Sequence, residues 1–129
     1  MTTNTNAISG QIVDAAIKVH NALGPGLLES AYEACLCHEL RKRGLQFDSQ
    51  ALLPLVYDGE IIDVGYRVDI IVEKQVIVEL KAVEKVTSVH EAQLLSYLRL
   101  SGCSVGLILN FNVVRLRDGI KRMVNEADE

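Results

Sequence analysis

The chain has 129 residues, of which 49% are hydrophobic and 23% charged, with a net charge of −4. This length suits one domain with a single core, and the composition excludes a disordered chain. The acidic balance argues against a general nucleic-acid coat protein, whose surface is basic, but not against an enzyme whose cations are local.

Residues 1–6 are polar and lack the basic and apolar regions of a signal peptide, so a flexible start and a cytoplasmic location are expected. Ile8, Ile12, Ala15, Ala16, Val19 and Leu23 recur at helical spacing. They predict an amphipathic helix entered from Asn6 as N-cap and broken by Gly24-Pro25-Gly26. A second helix is predicted over residues 27–43, with Leu28, Ala31, Cys35, Leu36 and Leu40 inward and Gly44 beyond its end. Cys35 and Cys37 point to different sides of that helix, so Cys35-x-Cys37-His38 makes a poor zinc site. The three cysteines are odd in number, a pattern of reduced thiols rather than a disulfide framework.

Residues 51–57 read as a strand, and Pro54 puts it at a sheet edge. Asp58-Gly59 predicts a tight hairpin into residues 60–63, and Gly65 separates these from an apolar run through Asp69. A turn at Glu73-Lys74-Gln75 leads to the run containing Glu79 and Lys81, which completes an antiparallel meander. A helix follows over residues 89–101, with Val89, Ala92, Leu95 and Leu98 inward and Gly102 at its end. Val105-Gly106-Leu107-Ile108-Leu109 is apolar on both faces and reads as a central strand. Arg117-Asp118-Gly119-Ile120 then forms either a hairpin turn into a strand near residues 121–124 or a last helical turn. Residues 125–129 form a tail. No apolar run is long enough to span a membrane, and no repeat or second domain interrupts residues 1–129.

Asp69 and Glu79-Leu80-Lys81 interrupt two of the most apolar runs. Glu79 and Lys81 are two apart on a strand and leave the same face. If Glu73-Lys74-Gln75 is a three-residue turn, Asp69 faces Glu79 and all three charges share that face; any one-residue slip separates them. Opposed carboxylates at about 4 Å repel by on the order of 4 kcal/mol at an effective dielectric of ~20. A divalent cation reverses that sign, since Mg²⁺ or Mn²⁺ favours carboxylate oxygens and a lysine beside them stabilises charge on phosphorus. The alternative is a salt-bridge cluster at a sheet rim. Glu29, Tyr32 and Glu33 share one face of the second helix, where an acidic first turn answering the helix dipole is the simpler reading of Glu29. His90, Gln93 and Tyr97 share a face of the later helix, where a solvated polar stripe is the simpler reading. Arg115, Arg117, Lys121 and Arg122 form a late basic cluster suited to phosphate or to a solvated edge. Among the few aromatic residues, Tyr57 and Phe111 are candidates for a self-association surface.

Gly26-Leu27-Leu28-Glu29-Ser30-Ala31-Tyr32 resembles the defining motif of the GxxExxY protein family. The resemblance continues through Gly65-Tyr66-Arg67-Val68-Asp69, Ile77-Val78-Glu79-Leu80-Lys81-Ala82, the segment from His90 to Leu98, and Gly106-Leu107-Ile108-Leu109-Asn110-Phe111. That family is assigned to the PD-(D/E)xK nuclease-like superfamily. The resemblance implies a mixed α+β, restriction-endonuclease-like core: a helix, a three-stranded antiparallel meander, a helix and a strand in a mixed central sheet flanked by helices, here with an extra N-terminal helix. It implies metal-dependent hydrolysis of phosphodiester bonds in nucleic acid, DNA or RNA. Asp69 and Glu79 would bind Mg²⁺ or Mn²⁺, with Glu29 as a further ligand. Lys81 and Gln93 would serve catalysis with them. On a nuclease reading of the residues themselves, Tyr32, Tyr97, Arg115 and Arg117 are the candidate substrate contacts. Val68 stands where the superfamily name has proline. A catalytically silent module that binds nucleic acid or a protein is the competing function.

Overall fold

The computed structural model describes residues 4–125, apart from the side chains of residues 63 and 64. Helix α1 (Thr5–Leu23) is capped by Asn4, whose side chain accepts the Asn6 N–H, so the cap lies two residues before the expected one. Residues 5 and 6 are therefore helical rather than flexible, while residues 1–3 and 126–129 lie outside the described residues. Helix α2 (Glu29–Lys42) follows, with Gly44 at a φ of 74° just past its end. Strands β1 (Phe47–Tyr57), β2 (Glu60–Val72) and β3 (Val76–Lys81) form the expected meander. Helix α3 (Ser88–Ser101) crosses to β4 (Val105–Asn110), and a 3-10 turn (Leu116–Gly119) leads into β5 (Ile120–Val124). The hairpin alternative for the tail is thus the observed one.

The five strands lie in chain order, β1 to β5 across the sheet, with β3 and β4 parallel and the other neighbours antiparallel. The expected mixed α+β, restriction-endonuclease-like architecture is therefore observed. The right place for the crossover helix follows from the chemistry of β4: all six of its residues are buried, so both faces must be covered. Helices α1 and α2 cover one face, over Ile70, Val72, Val76, Val78, Leu80, Leu107 and Leu109. Helix α3 covers the other, over Ile77 and Ile108. Strand β1 takes the edge, and its register with β2 shifts between Leu53 and Leu55, at Pro54, which has no N–H for the ladder. Strand β2 runs unbroken through Gly65, which bends it at a φ of 34° rather than ending it.

Helices α2 and α3, on opposite faces of the sheet, bury Leu36, Leu40 and Leu98 as expected but are each turned in part from the expected face. Helix α2 buries Tyr32, Leu36, Cys37 and Leu40, while Leu28 is 77% exposed. Helix α3 buries Leu94, Tyr97 and Leu98, while Val89 and Ala92 are exposed. In each case a tyrosine, counted as polar from its spacing, takes a core position. Phe111 is fully buried and stacked on Tyr32 with centroids 4.3 Å apart, which removes it as an interface anchor; Tyr57 is exposed. Among the described residues no helix is long and apolar enough to cross a membrane. At the other end of the chain, Asn125, expected in the tail, is buried and donates its backbone N–H to Ser104 O.

Helix α3 packs closely on β4 because Gly106 has no side chain. A Cβ there would come 2.8 Å from Leu94, itself buried. Gly106→Ala is expected to destabilise the fold by about 1–3 kcal/mol through overpacking. Thermal melts of Gly106→Ala, Leu94→Ala and the double variant should show the double costing less than the sum, since removing Leu94 vacates the space the new methyl needs.

Candidate active site

The ladder between β2 and β3 pairs Val72 with Val76, Ile71 with Ile77 and Ile70 with Val78, the register a three-residue turn requires. The next pair in that register is Asp69 opposite Glu79, and there the ladder ends. The Leu80 N–H donates instead to Asp69 Oδ2 at 2.8 Å. The alternation of β2 also breaks here. Ile70 packs in the core under α1 and α2, whereas Val68, of the same parity, packs in the core under α3. Strand β1 switches in step: Phe47 packs on the α1/α2 side and Ala51 on the α3 side. Between them Gln50 has a φ of 51°, a conformation rarely adopted by a residue with a side chain. Its amide donates to Glu33 at 3.0 and 3.1 Å and to Asp69 Oδ1 at 3.4 Å.

The exit of β3 is held by side chains and one backbone bond. Glu29 Oε2 accepts the Ala82 N–H at 2.9 Å. Asn110 Oδ1 accepts the Val83 N–H at 3.1 Å, and Asn110 Nδ2 donates to Val83 O at 2.9 Å. The Phe111 N–H donates to Lys81 O at 2.8 Å. These bonds fix the direction of Glu79 and Lys81, which share the α3 face of β3 with Ile77 because Val78 and Leu80 fill the opposite core.

Glu79 is only 8% exposed, and its Oε1 is buried without a hydrogen-bond partner. Burial, and after it the adjoining Asp69 carboxylate, push the Glu79 carboxyl up to about 9; the Lys81 ammonium pulls the other way. Glu33 is lifted above the usual carboxylate range mainly by burial, with the Gln50 hydrogen bond opposing and the Asp69 charge adding. Tyr97 on α3 is raised by burial first and by the Glu79 charge second.

The remaining expected site residues divide. Tyr32 does not face a substrate: it is 0% exposed, donates its hydroxyl to Gly24 O at 2.6 Å and accepts the Leu27 N–H at 3.1 Å. Its burial corrects the substrate role expected for it and makes it the lock of the α1–α2 loop. Glu29 is engaged with the backbone after Lys81, and among the described residues no three acidic, histidine or cysteine side chains form a metal-holding group. Gln93 is exposed on α3 in a groove with Tyr97. Arg115 and Arg117 are exposed on the segment between β4 and β5, while Asp69 is three strands from β5. The basic cluster disperses: Lys121 pairs with Glu91 on α3, and Arg122 donates to Asn6 on α1, on opposite faces of the sheet. Gln50 and Asn110 were not anticipated. Asn110 had a signal, a polar residue at the end of an apolar strand; Gln50 had none.

The sequence profile of the PD-(D/E)XK nuclease superfamily matches residues 6–123. The chain belongs to that superfamily. No curated protein and no solved structure gives a significant match. The donor set suits a divalent cation: two carboxylates, one of them with a buried oxygen that no protein donor reaches and a proton favoured chiefly by burial.

The raised Glu79 value gives a pH signature. In the unfolded chain the group titrates near its ordinary 4.5, in the fold near 9. Between those values the folded state holds the extra proton, so stability contributed by this group falls as pH rises, by up to about 1.4 kcal/mol per pH unit. Metal-free wild type and Glu79→Gln should melt alike near pH 4.5 and diverge toward pH 9, with Glu79→Gln the more stable. A constant difference across that range would refute the assignment.

Proposed function

We propose that this protein is a nuclease of the GxxExxY family that hydrolyses phosphodiester bonds in nucleic acid with Mg²⁺ or Mn²⁺. The observation that carries the reading is the buried, unpartnered Glu79 Oε1 set against Asp69, with Lys81 one step along the same strand face. A structural ion pair would leave no such orphan. The two carboxylates would hold the cation, leaving its other positions to water and to phosphate oxygens, as Mg²⁺ prefers. Bound there, a divalent cation neutralises the phosphodiester and lowers the pKa of a water.

The chain's own groups do the rest. Asp69 keeps one oxygen on the Leu80 N–H, so its second oxygen is presented in a fixed direction. Lys81 brings a positive charge to the phosphate as negative charge grows on its oxygens in the transition state. Hydrolysis forms one bond from water oxygen to phosphorus and breaks one ester bond, with the proton passing to the leaving oxygen. Gln93 and Tyr97 on α3 flank the position of the substrate. Glu29 acts by positioning: it anchors the backbone beyond Lys81.

Purified protein should cleave labelled DNA or RNA in Mg²⁺ or Mn²⁺ and not in chelator. Lys81→Ala and Asp69→Asn should each lower the rate by at least about a hundredfold, the loss typical when one such stabilising group is removed. The same cations should raise the melting temperature of wild type but not of Asp69→Asn, since only a ligand of the folded state stabilises it. Cleavage that survives both substitutions would assign the activity elsewhere. Absence of both cleavage and any thermal shift would favour the catalytically silent binding module.

A further inference from the structure

A groove of about 420 Å³ lies between the β1–β2 hairpin and the outer side of α3. Its walls include Leu55, Tyr66 and Tyr97, and its rim carries Gln93, Ser96 and Arg99. Tyr97 is 6% exposed and held in the core; Tyr66 is 40% exposed and leans on it, with ring centroids 5.9 Å apart and planes tilted by 53°. A rigid ring thus supports one that is open to a ligand. Tyr66 precedes Asp69 by three residues on β2, roughly 10 Å along the strand. Tyr97 packs on the α3 face of the sheet, the face from which Glu79 projects, and feels its charge. The groove therefore opens on the same side of the sheet as Glu79, within the reach of one or two nucleotides.

We propose that this groove is a nucleobase subsite, which takes an unpaired base from the strand whose phosphodiester lies at Asp69 and Glu79. The substrate class is then single-stranded nucleic acid, or an unpaired segment of a duplex. This rests on the nuclease reading above and specifies its substrate. Three observations favour a base over other occupants. Aromatic and aliphatic walls match the faces of a flat heterocycle, and stacking on tyrosine is tolerant of which base is bound. The Gln93 amide offers both a donor and an acceptor to a base edge, and Arg99 offers a cation to the adjoining phosphate. With a net charge of −4 and the late basic residues dispersed, the chain has little of the positive surface that tracks a duplex backbone, so binding must draw on stacking.

The test measures binding to the metal-free protein, where no cleavage intervenes. Fluorescein-labelled single strands of DNA and of RNA are titrated beside a duplex of the same sequence, and a single strand carrying 2-aminopurine reports stacking by quenching. Wild type should prefer single strands and quench 2-aminopurine. Tyr66→Ala should weaken single-strand binding about tenfold, within the range seen on removing a stacking ring, and relieve the quenching, while Tyr66→Phe keeps both. The quenching in wild type needs no variant, and a melt of Tyr66→Ala excludes misfolding. If wild type binds single strands but shows no quenching, or Tyr66→Ala binds as tightly as wild type, the subsite is refuted; cleavage that still requires Lys81 then leaves the nuclease reading intact. If wild type neither binds nor cleaves any nucleic acid, both fall.

Discussion

The arrangement of the site depends on one exchange: where β2 and β3 stop pairing, the Leu80 N–H passes from backbone to the Asp69 carboxylate. A buried amide left without an acceptor costs about 1–3 kcal/mol, so strands do not part freely. Asp69 makes the parting tolerable. It also explains why the acid stands in an apolar strand at all: its side chain takes the place of the next ladder carbonyl. Once the strands part, β3 loses one neighbour along its last residues, and Glu29, Asn110 and Phe111 take over the backbone groups from Lys81 to Val83. The catalytic proposal for Glu79 and Lys81 rests on a backbone anchored from both sides.

Glu79 shows what that anchoring makes possible. A carboxylate so buried, with one oxygen unsatisfied and an acid next to it, would relax away from a flexible strand. Here β4 is paired with β3 through Lys81, opposite Asn110, and the core under α1 and α2 fills the reverse face. The side chain therefore stays in a place where its charged form is disfavoured. In the proposed site, stability is given up locally, and a cation would on binding meet two oriented oxygens and displace a proton rather than reorganise a loop.

The fold was legible wherever a pattern depends on one residue type at one spacing. Asp58-Gly59 marked a hairpin because both positions need positive φ, and both have it, at 54° and 78°. The turn near residues 73–75 could be placed but not its length; the fold makes it three residues, with Val72 opposite Val76, and that sets Asp69 opposite Glu79. The helix faces were misread because Tyr32 and Tyr97 are amphipathic. Spacing counts them as polar, while the fold buries the rings and finds an acceptor for the Tyr32 hydroxyl on Gly24. Gln50 was invisible for a different reason. Its role comes from a left-handed backbone in the middle of a strand, a property of β1 and β2 twisting together rather than of local sequence. The basic cluster failed because neighbours on a strand point to opposite faces, so Lys121 and Arg122 are adjacent in sequence and apart in space.

Glu29 and Tyr32, which follow Gly26 in one motif, looked in the sequence like a metal ligand and a substrate contact on one helix face. In the fold they form a single mechanical unit. Gly26, at a φ of 105°, turns the chain between α1 and α2; Tyr32, one turn into α2, ties that loop through Gly24 and Leu27; and Glu29, at the first position of α2, reaches the backbone beyond Lys81. Each depends on the others. Without the lock at Tyr32 the start of α2 is not fixed, and without a fixed start Glu29 does not meet the Ala82 N–H. A motif whose residue types suggest chemistry thus acts first on geometry, setting the angle at which β3 delivers Glu79 and Lys81. With the motif as a positioning device, the proposed site has two carboxylates, Asp69 and Glu79, to hold a cation, whose remaining coordination would come from water and from the substrate itself.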